Sequence, residues 1–260
     1  MKKVILSGLL ATGAAALAPL FAVTTAFTPN TLTQAGDPPG PSIDGGTGMI
    51  TLTTASNGQN NQIAFDRSDA GTFASSNFSF TFQVTPTTAT ADGFSVLYYP
   101  TSTGGITGAV PAFTGEEPNV AGAIGFAFDT WNNAEVGGIS DSNLSQIALH
   151  WNGAVLTSVD DTRLLPTPFA IDDGNVHSVT GTLNFAGATL TLAVDGQAIF
   201  NNVAVPGLVP YESRIVMAGR TGGENQRVDI GGLNVAFVPE PMSALLVGLG
   251  GIGLVLRRRR

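Results

Sequence analysis

Residues 126–133 read Phe-Ala-Phe-Asp-Thr-Trp-Asn-Asn, FAFDTWNN. The stretch begins as a strand, because Phe126 and Phe128 alternate with the small Ala127. Period-two alternation puts both phenylalanines on one face of a sheet. Asp129, Trp131 and Asn133 then follow on alternate positions. A plain hairpin would close on Asn-Gly or Asp-Gly. This strand runs instead from a core-facing surface into a row of oxygen donors.

The same alternation recurs on both sides. "FSFTFQV" places Phe78, Phe80, Phe82 and Val84 on one face, and "QIALHW" sends Ile147, Leu149 and Trp151 inward. Gln146, Ala148 and His150 then face the other way. "ADGFSVLYY" is a strand entered through Asp92-Gly93, and "MITLTT", "QIAFDR", "RIVMAG" and "VDIGGLNVAFV" read as further strands. "HSVTGTLNF", "ATLTLAV" and "QAIF" are joined by Ala186-Gly187 and Asp195-Gly196, both hairpin-type turns. About eleven or twelve strands and no helix of consequence are expected, which makes the fold all-β. Antiparallel sheets packed face to face are the economical way to bury such stripes.

The ends are of a different kind. Lys2 and Lys3 precede an apolar run from Val4 to Phe21, and small residues follow up to Ala26. Residues 1–26 therefore read as a secretory signal peptide. Residues 27–48 are a Pro/Gly-rich segment, 49–237 the sandwich, and 238–260 a tail. In the tail, Pro239-Glu240-Pro241 precedes the apolar run Met242 to Leu256, and Arg257 to Arg260 follow. That run is short for a spanning helix.

Residues 28–237 keep five arginines against 18 acidic residues, a balance of −13. With no basic patch, nucleic acid is excluded as a partner. A metal cation is a natural one. The chain has no Cys, so disulfides and thiolate metal sites are excluded as well. Calcium takes six to eight oxygens from carboxylates, amides and main-chain carbonyls. Asp129, the Trp131 carbonyl and Asn133 can supply three of them from one extended segment. Asp141 can fold back with a second carboxylate, and Glu135 competes for that role.

The segments "FSFTFQV", "ADGFSVLYY", "IGFAFDTWNN", "SDSNLSQIALHWNG", "DGNVHSVTGTLNF", "TLTLAVDG" and "AGRTGG" together resemble an L-type (legume-type) lectin domain of the concanavalin A-like class. The resemblance implies a jelly-roll sandwich and a Ca²⁺ ion held by Asp129, the Trp131 carbonyl, Asn133 and Asp141. It implies a carbohydrate site formed by Asp92, Asn133 and the Thr221-Gly222-Gly223 loop, with Gly104 or Gly105 as a further match. It also implies a cis peptide between Ala91 and Asp92. Tyr98, Tyr99 and Trp131 are candidates for the apolar wall of a sugar site. The plant members carry a Glu and a His for a second, transition metal. This chain has Ala127 and Gln146 there, so no second metal is expected.

The last 23 residues resemble a PEP-CTERM sorting signal. That resemblance implies export in a Gram-negative bacterium and transient anchoring in the inner membrane. Cleavage near Pro239-Glu240-Pro241 by an exosortase-type transpeptidase would follow, with the domain ending at the cell surface, outer envelope or extracellular matrix. A plain C-terminal anchor is the simpler alternative.

Two other functions compete with glycan binding. A glucanase of this fold resembles Glu-x-Asp-x-x-Glu along the strand, and here Ala127 and Asn132 replace both glutamates. No enzyme activity is therefore expected. A structural surface or matrix protein with a purely structural ion is the stronger rival. His150 and His177 are 27 residues apart and read as strand residues rather than catalytic ones.

Overall fold

The computed structural model describes residues 23–24, 29–131 and 145–240, with side chains from Asp37 onward. Most of the expected signal peptide, the candidates Asn133, Glu135 and Asp141, and the tail from Pro241 lie outside these residues. No helix among the described residues is long and apolar enough to cross a membrane.

In chain order the strands are β1 (Val23–Thr24), β2 (Pro29–Gly36), β3 (Ser42–Ile43), β4 (Ile50–Thr53), β5 (Gln59–Phe65), β6 (Ser75–Pro86), β7 (Gly93–Pro100) and β8 (Ile124–Asp129). They continue with β9 (Gln146–Trp151), β10 (Ala154–Val159), β11 (Val176–Asn184), β12 (Thr189–Val194), β13 (Gln197–Ala204), β14 (Ser213–Arg220) and β15 (Gln226–Val238). A single helical turn, Thr101–Gly104, follows β7. The number of strands exceeds the expected one partly through β1 and β3, each two residues long and too short to leave a pattern.

The strands form two antiparallel sheets. The back sheet has the order β13-β12-β11-β6-β15-β4-β3, with β1 also paired to β15. The front sheet has the order β10-β9-β8-β7-β14-β5-β2. Their inner faces meet in one core, where the expected stripes are found. Phe94 and Phe128 lie opposite each other on neighbouring strands, with ring centroids 4.6 Å apart and an interplanar angle of 1°. Phe82 of the back sheet packs against both rings at 5.2 Å. Phe78 stacks on Phe126 at 5.1 Å. Each contact joins the two sheets or two strands, so these aromatics bind the layers together.

The sheets differ on their outer faces. β6 and β12 alternate between buried and more exposed residues, as a half-solvated strand should. β7 and β8 are buried at every position. The second cover is the segment after the helical turn, residues 105–123. Its Val110, Phe113, Val120 and Ala123 form a smaller core with Ala64, Leu97, Tyr99, Val216 and Ala218. The sheet makes room by using small residues. A Cβ at Gly125 would meet Pro118 Cβ at 2.8 Å.

The turns follow local chemistry. Asp195 and Gly196 both take positive φ, at 50° and 77°, as a type I′ turn requires. In the other expected turn it is Ala188, not Gly187, that takes positive φ, at 48°. Asn184 Oδ1 accepts the Gly187 N–H at 2.7 Å and sets that turn from the side.

Phe128 is fully buried at the junction of both sheets. Phe128→Ala should cost about 3–5 kcal/mol of stability. The measurement is a denaturant titration, in which the midpoint falls while the slope is kept.

Candidate functional site

The sequence candidates converge at one end of the front sheet. Asp129 ends β8 and Gly93 opens β7, and the two are register partners. Gly93 is also the partner of Arg220, the last residue of β14. Asp129, Gly93 and Arg220 thus stand side by side with outward parity, and the middle one has no side chain. Asp129 and Arg220 stand on strands about 10 Å apart, and the Asp129 charge supports that of Arg220. Gly93 cannot be replaced by a larger residue here. A Cβ would lie 2.3 Å from the Phe128 carbonyl oxygen, and φ is +153°.

Asp92 precedes Gly93, and both of its backbone groups are held. Its N–H donates to the Arg220 carbonyl at 3.0 Å. Its carbonyl accepts the Thr130 N–H at 2.9 Å and the Thr130 hydroxyl at 3.0 Å. The Ala91–Asp92 peptide is cis. Gly222 lies against the Asp92 carboxylate, since a Cβ there would sit 3.1 Å from Oδ2. The glycine loop is itself fixed by a neighbour that sequence reading missed. Thr221 N–H donates to the Gln59 carbonyl at 2.9 Å, Gly58 N–H to the Gly222 carbonyl at 3.0 Å, and Asn57 Nδ2 to the Gly223 carbonyl at 2.6 Å.

Asp129 is fully buried, and its Oδ1 accepts the Trp131 N–H at 2.7 Å. Trp131 is half-buried beside it. Asn133 and Asp141, the other expected calcium ligands, lie outside the described residues. Among the described residues, no group of three His, Cys, Asp or Glu could hold a metal. Asp129 and the Trp131 carbonyl are thus the expected donors that can be located, and both are hard oxygens suited to calcium. At the expected second-metal positions, Ala127 has no donor, and Gln146 directs its amide N–H to Asp160 at 3.4 Å.

Four candidates are not at this site. Gly105 follows the helical turn beyond Pro100, so the eight residues of β7, roughly 25 Å of strand, separate it from Asp92. Its φ of 68° ends the turn, which is what a glycine there is needed for. Gly104 belongs to the same distant turn, its carbonyl accepting from Arg214. Tyr98 and Tyr99 are buried near that far end, Tyr98 with its hydroxyl 2.9 Å from Ser76 Oγ. Trp131 alone of the wall candidates stands beside the site.

Two charged residues to which the sequence reading gave no role also reach the site. Arg220 Nε lies 3.5 Å from Asp92 Oδ2, and its Nη1 donates to Glu116 Oε1. Glu116 comes from the covering segment and is fully buried. Burial pushes its pKa up to about 7; Arg220 opposes this, and Asp92 adds to it. Burial also opposes the Arg220 charge, and Glu116, Asp92 and Asp129 more than offset it. The doubled acid in "FTGEEPN" and the lone cation in "AGRTGG" were the available signals.

The next residue, Glu117, points to the other side. Its Oε2 lies 3.2 Å from His150 Nε2, with both side chains buried. Residues 113–118 thus cross the sheet. Phe113 is held from β5 by Asn60 at 3.1 Å, Gly115 from β7 by Ser95 at 2.6 Å, Glu116 from β14, and Glu117 faces β9.

No family model matches the sequence, and no curated protein is significantly similar to it. Solved structures do match. Lectin II from Ulex europaeus superposes with a TM-score of 0.59 at 17% identity, over 84% of this chain and 98% of that one. The fold is L-type lectin-like. The Bauhinia forficata lectin in complex with GalNAc matches as well, at 0.59 and 17% over 83% and 98%. The exoplasmic/lumenal domain of VIP36 in its Ca²⁺/Man-bound form matches at 0.56 and 14% over 78% and 82%. The lectin-like framework accounts for the two sheets and for the junction of β7, β8 and β14.

Burial drives the His150 pKa down to about 4, so the folded protein holds this ring neutral. Between the ordinary value near 6.5 and about 4, the unfolded chain binds the proton and the folded chain does not. Its contribution is therefore complete above pH 6.5 and lost as pH falls toward 4. The shift corresponds to about 3 kcal/mol. Denaturation midpoints measured across this range should fall on acidification, and His150→Gln should flatten the curve.

Proposed function

We propose that the chain is an exported, calcium-dependent carbohydrate-binding protein. One observation carries this reading. Asp92, Asp129 and Gly222, which span 130 residues of sequence, meet at one sheet end with both backbone groups of Asp92 fixed. A pyranose needs a carboxylate to accept from its hydroxyls and backbone donors beside it. Asp92 and the Gly222-Gly223 loop supply these, with Asn133 shared between sugar and metal. Matching lectins are complexed with galactose, GalNAc and mannose, which favours a hexose-bearing glycan here.

Calcium would be held by Asp129, the Trp131 carbonyl, Asn133 and Asp141, where it offsets buried negative charge. Hydrolysis is disfavoured. Glu116 is fully buried and tied to Arg220, so it is not presented to a substrate. The finer part of the reading concerns location. Residues 1–26 would direct export, and 238–260 would be a PEP-CTERM signal processed near Pro239-Glu240-Pro241 by an exosortase-type enzyme. The domain would then act at the cell surface or in the extracellular matrix.

Two outcomes test this. Protein stripped of metal should melt higher when millimolar calcium is added, because a ligand of the folded state stabilises by mass action. No change in melting would remove the metal. A glycan array probed with a multivalent form should give calcium-dependent signal, with monosaccharide affinity near millimolar, about −4 kcal/mol. Asp92→Asn should abolish that signal while keeping the calcium effect on melting. Signal that survives Asp92→Asn, or none on any glycan, leaves a structural jelly roll.

A further inference from the structure

We propose that Arg220, clamped by Glu116, is the positioning residue for Asp92: a built-in cation that keeps this carboxylate charged and aimed without help from a metal. The electrostatic part stands alone, and its consequence for glycan binding rests on the carbohydrate reading.

Asp92 is only 2% exposed. An ionised carboxylate so placed is costly unless paired. Yet it must be ionised for both of its oxygens to accept hydrogen bonds from sugar hydroxyls. Arg220 answers this requirement in two ways. Its Nε stands 3.5 Å from Asp92 Oδ2, and its carbonyl accepts the Asp92 N–H at 3.0 Å. One residue therefore fixes both the backbone and the charge of Asp92. A guanidinium does not lose its proton, so the charge is permanent.

A long side chain at 28% exposure would ordinarily swing. Glu116 prevents this by taking Nη1. Glu116 is placed in turn by its neighbour Gly115, whose carbonyl accepts from Ser95 Oγ at 2.6 Å. Gly115 has no room for a side chain, because a Cβ would lie 2.7 Å from the Gly219 carbonyl oxygen. The covering segment is thus pressed onto the strand that carries Arg220. Asp92, Glu116 and Asp129 all act on the Arg220 charge, all four among the described residues.

A simpler role exists, in which Arg220 and Glu116 merely pin the covering segment. A double-mutant cycle separates the two. Arg220→Ala, Asp92→Asn and the double variant are melted in metal-free buffer with chelator. Arg220→Ala should lower the midpoint by roughly 10 °C alone and by several degrees less in the Asp92→Asn background. Equal losses in both backgrounds would overturn the proposal. If Arg220→Ala does not fold, Arg220→Lys serves in the same cycle. Lysine keeps the charge but cannot serve both carboxylates with a fixed fork, so a smaller coupling of the same sign is expected, and none overturns it.

The second arm uses whichever array glycan binds the native protein, with calcium saturating. Arg220→Ala should bind it at least tenfold more weakly, and Arg220→Lys should recover part of the loss. Unchanged affinity in Arg220→Ala overturns the role in binding. If the native protein binds no glycan, the carbohydrate reading fails and the melting cycle still decides the role of Arg220.

Discussion

The site depends on a place where no side chain fits. At Gly93 the backbone of β7 comes so close to that of β8 that even a methyl group would overlap the Phe128 carbonyl. The pairing registers Gly93 with Asp129 on one side and with Arg220 on the other. The close approach of the strands sets the ends of β8 and β14 on either side of Gly93. Asp92 is then suspended between the ends of β8 and β14 by its own N–H and C=O. A side chain at position 93 would push the strands apart and disperse all these groups together.

The second constraint is the cover on the front sheet. A parallel sheet is usually buried on both faces, whereas an antiparallel one commonly leaves one face to water. Here the centre of the antiparallel front sheet is covered on both, and small outward residues such as Ala127, Gly125 and Ala218 make this possible. The cover brings polar groups with it. Gly115 carbonyl, Glu116 and Glu117 each meet a partner from a different strand. Buried groups so matched resist sliding, because any shift would leave several of them without partners at once.

Much of this was legible from the residues. Phe78, Phe80, Phe82, Phe126 and Phe128 alternate as core strands, and they form the core. Asp92, Asp129 and Gly222 were matched as segments, and they meet. The failures have physical reasons. Gly105 was matched on residue type alone, but a glycine also ends helical turns, and that is its place. Tyr98 and Tyr99 sit on the right strand at the wrong end of it, because position along a strand is not visible until the neighbours are known. Arg220 and Glu116 are 104 residues apart and make their contact only through the covering segment. Ala127, Gly125 and Ala218 point outward from their strands and are buried. Their smallness was the sign of a cover, which alternation alone does not reveal.

The course of β15 fixes how the protein faces its surroundings. Gln226, its first residue, takes part in the site through the Thr130 hydroxyl at 2.8 Å. Twelve residues later the strand ends at Val238, roughly 40 Å away along the sheet. The polypeptide therefore leaves the sandwich at the pole opposite Asp92. Anything joined after Val238 would act as a tether at the base, with the carboxylate pole held outward like the head of a stalk. Copies joined to one support by that end would all present the same pole to the medium.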